Sequence, residues 1–508
     1  MSHYIALAIN QHDSCITVAN DKEILLHLEL ERFLRVKHYR VRDINVLFSL
    51  IALICRDYHI DEISTFIVSK HKVNKLDQQI VEYIHENYAN ADIFEVEHMD
   101  AHAALCYLSG LDDALVVSVD GGGDRSIGLD RPNFSAYLYK DTVLKPLSLS
   151  NLPSFDGRIW TLISKKIFGD RFGAGKTMGL AAYGTFRDEY RDVLLSDKFK
   201  HLGDIWSCHN STNLLSSLKV ETFNDKASLA ATLQQLYSYD LVDTIKSYRN
   251  YSDNLVITGG CALNITTNRL ISERLGFLNI YIPPCPGDEG QSLGAMLYYL
   301  NHKGVKIENV SFMPYLGQGE KNSFLTESDY AKLTSLLIRE KTLAWHMGRS
   351  EVGPRGLGHR SLLAMPGKVS TKEYVSEVIK KREPFRPLAP VVLEEYAAEW
   401  FSVKNPSPYM SFSVEAKEIT RRLAPAIVHK DGSSRIQTLS KKQNQELHQL
   451  ISRVYEITGI PMLINTSLNV SGMPICNSSQ DSKHLFTTTP VDALCLNGSV
   501  YLKSSASP

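Results

Sequence analysis

Two short apolar runs that lead directly into glycine-rich turns place the strongest constraint on the fold of this 508-residue chain. Residues 114–119 precede the sequence Asp-Gly-Gly-Gly at 120–123, and residues 255–258 precede a Gly-Gly pair. A short, continuous apolar run that ends at glycine is typical of a buried strand. The turn that follows exposes backbone N–H groups, which can bind phosphate. The pattern therefore predicts buried strands whose ends carry ligand-binding turns.

Helices alternate with these strands along the chain. Short strands joined by tight turns are predicted in the first thirty residues, at 4–9, 15–18 and 23–28. Helical periodicity is found at 229–247, 291–301 and 444–458. This alternation predicts the α/β class. Because arginine-rich motifs replace the glycine and carboxylate motifs after a polar tract at 316–322, we predict two domains, 1–340 and 341–508.

Composition limits the setting in which such a chain works. Apolar residues make up 44% of it, enough for ordinary cores, and a formal net charge of -1 gives no overall attraction to nucleic acid or anionic membranes. The 8 cysteines form no C-x-x-C pair, which favours a reducing, cytoplasmic location. The apolar run at 47–55 is too short to cross a bilayer. We expect neither export nor membrane insertion.

Four residues form a candidate metal site. His98 and His102 are four residues apart and would share a face of a helix, while Asp120 and Asp288 lie in glycine turns. A histidine pair alone is more often a solvated or core helix face. Carboxylates at strand ends or in glycine loops can instead bind a metal or face a phosphate. The four residues together therefore predict metal ligation with open coordination positions.

The sequence Gly-Ala-Gly-Lys-Thr at 173–177 resembles the end of a Walker A loop. The earlier glycine, Gly169, is one residue too far from Gly175, and no strand leads into the segment. We therefore reject a P-loop. Lys176 remains a candidate phosphate ligand in another fold, against the alternative that these glycines only form a turn.

Arginines in the second half of the chain stand among glycine, proline and phenylalanine. A guanidinium group held beside a turn can bind phosphate or carboxylate oxygens in two places, so two anionic ligands are predicted here. An apolar strand followed by Asn465, Thr466 and Ser467 adds polar groups, with a simple polar turn as the alternative. The basic residues of interest are Arg349, Arg355, Arg360, Lys380, Arg382, Arg386 and Arg435.

Taken in order, these motifs resemble the O-carbamoyltransferases that modify antibiotics and nodulation factors. The resemblance covers nearly the whole chain and includes His-Asp-Ser at 12–14, Glu-Arg-Phe at 31–33, Gly-Pro-Arg at 353–355 and Arg-Glu-Pro-Phe-Arg-Pro at 382–387. It implies an N-terminal, duplicated domain of the actin/Hsp70-like, Kae1-like type and a C-terminal YrdC-like α/β domain. The expected C-terminal reaction converts carbamoyl phosphate and ATP into carbamoyl-adenylate, which the N-terminal site consumes.

The resemblance also implies a role for individual residues. Carbamoyl phosphate and ATP would be held in the C-terminal domain by Arg355, Lys380, Arg386, His429, Arg435, Asn465, Thr466 and Ser467. A divalent metal, Fe(II) or alternatively Mg²⁺ or Mn²⁺, would be bound by His98, His102, Asp120 and Asp288. A nucleotide in the N-terminal domain would contact Gly121, Gly122, Lys176, Gly179, Gly259, Gly260 and Asn264.

His12 and Lys37 are the implied catalytic residues at the carbamoyl group. Imidazole has an ordinary pKa of about 6.5, which suits a general base for the acceptor hydroxyl, although His12 could instead only order the first turn. Lys37 would stabilise charge that develops on the leaving group. Two departures from the family pattern, Gly356 and Met473, could reshape the C-terminal pocket.

The acceptor is open at this stage. A hydroxyl of a sugar or other secondary metabolite is the default, and a hydroxymethylated pyrimidine such as 5-hydroxymethylcytosine in viral DNA is the alternative. Two further alternatives are a tRNA threonylcarbamoyl transferase and a non-catalytic ATP-binding regulator. A homodimer is possible. DNA binding would require a basic groove formed by Arg32, Arg35, Lys37, His38 and Arg40.

Overall fold

A computed structural model describes residues 2–9, 12–70, 75–121, 133–196, 218–305, 313–320 and 322–503. Gly122, one of the expected nucleotide ligands, lies outside these residues. Among the helices within these ranges, none is both long and apolar enough to cross a membrane. Helices and β-sheets alternate, so the predicted α/β class is confirmed.

The first sheet contains five strands in the order β3-β2-β1-β4-β5. β1 pairs antiparallel with β2, and β2 pairs antiparallel with β3, whereas β1, β4 and β5 run parallel. The three predicted N-terminal strands are confirmed, with ends shifted by one or two residues. The strands are β1 (His3–Ala8), β2 (Cys15–Asn20), β3 (Ile24–Glu29), β4 (Thr65–Lys70) and β5 (Asp92–Glu97).

The second sheet repeats the same arrangement with the order β8-β7-β6-β9-β10. β6 begins an antiparallel meander with β7 and β8 and pairs parallel with β9, which pairs parallel with β10. The predicted duplication is therefore visible in the strand order itself. The strands are β6 (Asp113–Val119), β7 (Phe134–Lys140), β8 (Val143–Pro146), β9 (Asn254–Thr258) and β10 (Asn279–Tyr281).

Ten helices are described around these two sheets. They are α1 (Leu30–Leu34), α2 (Ile44–Asp57), α3 (Lys75–Asn87), α4 (His98–Ala104), α5 (Gly157–Phe168), α6 (Ala174–Ala181), α7 (Asp188–Leu194), α8 (Phe223–Lys246), α9 (Ile265–Arg274) and α10 (Gln291–His302). α4 and α10 pack in one apolar cluster with β1 and β4, through residues such as Ala101, Leu105 and Met296. This packing places the start of α4 beside the ends of both sheets.

A seven-stranded mixed sheet forms the C-terminal part, in the order β16-β13-β17-β12-β11-β18-β19. Its strands are β11 (Leu343–His346), β12 (Arg360–Ala364), β13 (Ala389–Leu393), β16 (Gln437–Leu439), β17 (Met462–Ser467), β18 (Ala493–Leu496) and β19 (Ser499–Leu502), and a separate pair is formed by β14 (Ser413–Glu415) and β15 (Ser433–Arg435). The helices are α11 (Glu327–Ile338), α12 (Val369–Glu373), α13 (Glu394–Trp400), α14 (Glu418–Leu423), α15 (Gln445–Thr458) and α16 (Ser479–Thr488). The domain boundary near residue 340 stays a prediction, and α11 packs in the core of this C-terminal sheet.

Candidate functional site

The structure brings the four expected metal ligands together. His98, His102, Asp120 and Asp288 are buried, and one ligand atom from each lies within 4.8 Å of the others. Nε2 of His98 lies 3.4 Å from Asp120 Oδ2, and Nε2 of His102 lies 3.4 Å from Asp288 Oδ1. Two nitrogen and two oxygen donors thus surround one small volume.

Local structure explains this convergence. α4 begins at His98, so the two imidazoles follow one another on the same helical face. Asp120 follows the last residue of β6, and Asp288 opens a 3₁₀ turn that leads into α10. Asp120 Oδ1 also accepts a hydrogen bond of 2.9 Å from the backbone N–H of Gly260, which fixes the carboxylate beside the second glycine turn.

The donor set fits a divalent transition metal. Imidazole nitrogens together with carboxylate oxygens suit iron, manganese or zinc better than calcium. Among the described residues, neither Nε2 of His102 nor Oδ1 of Asp288 has a hydrogen-bond partner, although both are buried. Buried polar atoms normally have such a partner, and a bound metal ion would supply one to both atoms.

Close packing of α10 against α4 fixes the two histidines. A Cβ added to Gly294 would lie 1.9 Å from the carbonyl oxygen of Ala101, between the histidines in sequence. We expect Gly294→Ala to lower the free energy of unfolding by about 1–3 kcal/mol and to weaken metal retention, because α4 must move. Gly175→Ala is the control, since that helical position faces open space and should be neutral or stabilising. Chemical denaturation of both variants measures the difference, and equal stabilities would contradict the packing argument.

His12 lies beside this cluster. Its Nε2 is 3.8 Å from Asp288 Oδ2, and its Nδ1 is 2.8 Å from a carboxylate oxygen of Asp13, whose other oxygen lies 3.0 Å from Nδ1 of His38. Burial opposes protonation of His12, but the hydrogen bond to Asp13 and the charges of Asp288 and Asp120 outweigh it and raise its pKa to about 9. The pKa of His12 therefore lies above the ordinary imidazole value of about 6.5.

Phe172 lies beside His12, and Lys37 precedes His38 in the sequence. Phe172 stacks on the His38 ring at 4.1 Å between ring centroids and meets the His12 ring edge-on at 5.3 Å. Lys37 is exposed, and its positive charge contributes to lowering the pKa of Lys380 in the C-terminal part of the chain. The candidate N-terminal and C-terminal sites are therefore neighbours in space.

The expected nucleotide-binding glycines form close backbone contacts around Asp120. Gly259 has a φ of 84°, and a Cβ there would lie 2.2 Å from the carbonyl oxygen of Val119. Gly121 lies directly against Gly157 at the start of α5. Asn264 caps α9 by accepting a hydrogen bond from the backbone N–H of Thr267. These contacts explain why glycine stands at these turns, and nucleotide binding by them stays a prediction.

Lys176 and Gly179 lie elsewhere. Both are on α6 and face the C-terminal loop 382–387: Nζ of Lys176 is 3.4 Å from a carboxylate oxygen of Glu383, and a Cβ on Gly179 would lie 3.5 Å from Pro387. α6 follows α5 and a short turn, not a strand, which agrees with the rejection of a P-loop. A nucleotide role for these two residues stays a prediction.

Basic residues cluster in the C-terminal part. Loss of solvation and repulsion from Arg386 lower the pKa of Arg382 to about 9 and that of Arg355 to about 10. Loss of solvation and these neighbouring arginines also lower the pKa of Arg435 well below its usual range. The pKa of Lys380 falls strongly for the same two reasons. Arg382, which the sequence patterns named as a candidate anion ligand but which is absent from the ligand set implied by the resemblance, belongs to this cluster.

Polar atoms without partners mark the same cluster. Among the described residues, Nε of Arg382, Nε of Arg435, Nε2 of His429 and Oδ1 of Asn465 are buried and form no hydrogen bond. A guanidinium nitrogen buried without an acceptor is costly. The cluster is therefore suited to bind a ligand that carries several oxygen atoms and negative charges.

The end of β17 contributes the other expected polar groups. Nζ of Lys380 donates to the carbonyl oxygen of Ser467 and, at 2.6 Å, to Oδ1 of Asn469. Oγ1 of Thr466 accepts a hydrogen bond of 3.1 Å from Arg382. The structure thus places Lys380, Thr466 and Ser467 beside the arginine cluster, and their binding of a substrate stays a prediction.

Two arginines considered as anion ligands have structural roles instead. Arg360 is fully buried and donates to the carbonyl oxygens of Met347 and Gly348 at 2.7 and 2.8 Å. Arg349 donates to the carbonyl oxygens of Leu25 and Leu316 at 2.8 and 2.6 Å. Their guanidinium groups hold backbone segments together, a function that sequence spacing does not distinguish from anion binding.

Glu351 organises the loop that carries Arg355, and the sequence analysis missed it. Its buried carboxylate accepts hydrogen bonds from the backbone N–H groups of Leu357 and Arg360. Of the two departures from the family pattern, Gly356 lies in this loop and Met473 lies at the surface. A Cβ on Gly356 would lie 2.8 Å from Cα of Ser467, so alanine requires a shift here, whereas the Met473 side chain is partly exposed.

Glu29 and Arg32 connect the N-terminal part to this loop. Arg32 donates to the carbonyl oxygens of Glu351 and Gly353, and Glu29 accepts from the backbone N–H of Gly353 at 2.8 Å. A Cβ on Gly353, whose φ is 91°, would lie 1.9 Å from the carbonyl oxygen of Pro284, four residues before Asp288. The loops that carry the two candidate sites are therefore in direct contact.

Two of the five residues of the predicted DNA-binding groove already bind carbonyl oxygens of the protein. Arg32 is buried in the contacts described above. Arg35 donates to the carbonyl oxygens of Pro474 and Ile475 at 3.1 and 2.6 Å and lies 3.3 Å from Asp481. Both guanidinium groups hold the C-terminal part of the chain and are not available to bind phosphates along a groove.

Buried histidines of the C-terminal part predict acid sensitivity. Burial and the nearby charge of Arg360 lower the pKa of His346 to about 2, whereas an unfolded chain has a value near 6.5. The unfolded state then binds the extra proton, so stability present above pH 6.5 is lost as the pH falls. We expect His346→Gln to reduce the slope of unfolding free energy against pH by about 1.4 kcal/mol per pH unit between pH 5.5 and 4. The exposed His484→Gln is the control, and unchanged slopes for both would contradict this expectation.

Similar solved structures share only part of the chain. HypF of T. kodakarensis is 13% identical, with a TM-score of 0.35, and the match covers 60% of this chain and 48% of that one. The ROK hexokinase of Thermus thermophilus is also 13% identical, with a TM-score of 0.33, and the match covers 60% of this chain and 100% of that one.

Two family models together match most of the chain, and the sequence relatives match between 43% and 98% of it. The model described as carbamoyltransferase N-terminus matches residues 58–297, and the one described as carbamoyltransferase C-terminus matches residues 334–503. Nodulation protein NolNO of Sinorhizobium fredii is 29% identical over 98% of this chain and 80% of its own length. Nodulation protein U of Rhizobium tropici is 38% identical over 43% of this chain and 39% of its own length. An uncharacterised protein of Methanocaldococcus jannaschii is 29% identical over 96% of this chain and 97% of its own length. The chain therefore belongs to the carbamoyltransferase family and is a transferase that requires a carbamoyl donor and a hydroxyl acceptor.

Proposed function

We propose that the chain is an ATP-dependent O-carbamoyltransferase that works in two half-reactions at two neighbouring sites. The observation that carries the proposal is the C-terminal cluster of Arg355, Arg382, Arg386, Arg435 and Lys380. Burial and repulsion from neighbouring arginines lower the pKa values of Arg355, Lys380, Arg382 and Arg435. Two of the guanidinium groups retain buried Nε atoms without acceptors among the described residues. Such a cluster suits the combined negative charge of ATP and carbamoyl phosphate.

The first half-reaction activates the carbamoyl group. Water converts carbamoyl phosphate into carbamate and phosphate, and a carbamate oxygen then attacks the α-phosphorus of ATP, which releases pyrophosphate and leaves carbamoyl-adenylate. Arg386 and Arg382 hold phosphate oxygens as charge moves toward the leaving pyrophosphate. Asn465 and Lys380 orient the carbamoyl donor. Fixed charges aimed at a developing anion are usually the largest contribution to such a step.

The second half-reaction transfers the carbamoyl group. The acceptor hydroxyl oxygen attacks the carbamoyl carbon, the bond from that carbon to the adenylate oxygen breaks, and AMP leaves while the hydroxyl proton passes to a base or to solvent. His98, His102, Asp120 and Asp288 would hold a divalent metal, which supplies Lewis-acid stabilisation of the phosphate charge. His12 and Lys37 would donate hydrogen bonds to the reacting group.

The acceptor that we propose is a hydroxyl on a sugar or other secondary metabolite. The relatives of the chain include nodulation proteins. The DNA alternative receives no support from the groove residues, because Arg32 and Arg35 hold the C-terminal part of the chain.

The decisive experiment measures the first half-reaction. The purified protein is incubated with ATP, carbamoyl phosphate and Fe(II), pyrophosphate is assayed, and carbamoyl-adenylate is sought by mass spectrometry. Its formation supports the proposal. Pyrophosphate release that instead requires threonine and bicarbonate would identify a threonylcarbamoyl transferase, and ATP binding without pyrophosphate release under either condition would favour a regulator.

A further inference from the structure

One carboxylate lies between a lysine of the N-terminal part and an arginine of the C-terminal anion cluster. Nζ of Lys176 is 3.4 Å from Oε1 of Glu383, and Nη1 of Arg386 is 3.7 Å from Oε2 of the same side chain. Asp170 lies 3.4 Å from Lys176 on its other side. The shorter of the two contacts made by Glu383 is thus with the lysine.

The loop that carries Glu383 and Arg386 is held against the N-terminal part. The backbone N–H of Arg386 donates to the carbonyl oxygen of Glu383 at 3.1 Å, which closes a tight turn with proline at its second position. Phe385 lies in this turn, and its ring centroid is 6.1 Å from that of Phe168 and 6.4 Å from that of Tyr183. Because Phe385 packs against Phe168 and Tyr183, the turn is held in place. The carboxylate of Glu383 therefore lies within 3.4 Å of Nζ of Lys176.

We propose that Lys176 is a positioning residue that holds the Glu383 carboxylate and thereby keeps Arg386 available for phosphate oxygens in the C-terminal site. The separation of 3.7 Å between Glu383 and Arg386 exceeds hydrogen-bond length, so the arginine retains its donors. Without the lysine, the carboxylate would pair closely with Arg386 and compete with the anionic substrate. This inference rests on the proposed function of the arginine cluster.

The inference assigns Lys176 a different role from nucleotide binding in the N-terminal domain. A direct phosphate ligand would act whether or not Glu383 is charged. A residue that acts through Glu383 would lose its influence once that carboxylate is removed. A double-mutant cycle on these two residues separates the two possibilities.

The experiment measures binding of inorganic tripolyphosphate by calorimetry to the full chain and its variants. We expect Lys176→Met to weaken binding by about 10-fold in the wild-type background but by less than about 2-fold in a Glu383→Gln background. Lys176→Arg should preserve affinity. Lys165→Met removes an exposed lysine from α5 and is the matched control. Steady-state assays should show a raised KM for ATP or carbamoyl phosphate in Lys176→Met with little change in kcat.

Each remaining outcome is decisive. Equal weakening by Lys176→Met in both backgrounds would overturn the inference in favour of direct contact with the ligand. Wild-type affinity in Lys176→Met would overturn it as well, while leaving the proposed function intact. Absence of tripolyphosphate binding to the wild-type protein would instead overturn the proposed anion site. Thermal unfolding of every variant shows whether a loss of affinity comes from a loss of folded protein.

Discussion

Arg386→Ala is expected to reduce pyrophosphate release from ATP and carbamoyl phosphate by about 10²–10³-fold, because removal of one preorganised donor to a developing anion costs about 3–4 kcal/mol in transition-state stabilisation. Burial lowers the pKa of Arg386, while Glu383 opposes this shift, so the side chain is a poorly solvated cation that a substrate anion can stabilise. The measurement is the initial rate of pyrophosphate formation at saturating substrates.

The effect should be confined to the first half-reaction. Arg386→Ala supplied with chemically prepared carbamoyl-adenylate should still convert it to AMP in the presence of an acceptor. Arg422→Ala, which removes an exposed arginine of α14, should behave as wild type in both assays. Wild-type pyrophosphate release by Arg386→Ala would contradict the assignment of the arginine cluster to this step.

Asp288→Asn is expected to show the converse loss. The exchange removes the negative charge from a buried oxygen that lies 3.4 Å from Nε2 of His102 and 3.6 Å from Nε2 of His98. We expect bound metal, measured by elemental analysis, to fall well below one ion per chain. Carbamoyl transfer from the adenylate should fall by about 10³-fold or more, because a Lewis acid supplies several kcal/mol to such a step.

Pyrophosphate release in this variant should remain within a few-fold of the wild-type rate. The control is Asp61→Asn, an exposed aspartate outside the cluster. A full complement of metal in Asp288→Asn would show that the four residues are not its ligands. Normal transfer by a metal-free variant would show that the metal has no part in the chemistry.

Sequence patterns predicted those features that depend on neighbouring residues. The apolar runs before Asp120 and Gly259 are strands β6 and β9, which pair parallel and end side by side, so residues 140 positions apart in the sequence meet. The periodic segment at 444–458 is α15, with Asn444 as its cap. The four-residue spacing of His98 and His102 placed both on α4 because one turn of a helix is local geometry.

The unpredicted features depend on how distant segments pack. Arg349, Arg360 and Arg386 look alike in the sequence, yet only the last belongs to the anion cluster. Their difference depends on which carbonyl oxygens surround each guanidinium group. The raised pKa of His12 comes first from its sequence neighbour Asp13, but the contributions of Asp288 and Asp120 depend on packing of segments more than 270 and 100 residues further along the chain. Duplication of the first two sheets was implied by the family resemblance, and the matching strand orders show it in the structure.

Contact between Gly353 and the carbonyl oxygen of Pro284 limits how chimaeric enzymes can be built from this chain. Exchange of the C-terminal half for that of a relative would change the half to which we assign donor activation, but any side chain at position 353 would separate the graft from the segment that leads to Asp288. A successful recombinant must therefore inherit a glycine at this junction. Residues within each half can be varied to change the substrate range, whereas the residues at which the two halves meet must be exchanged together.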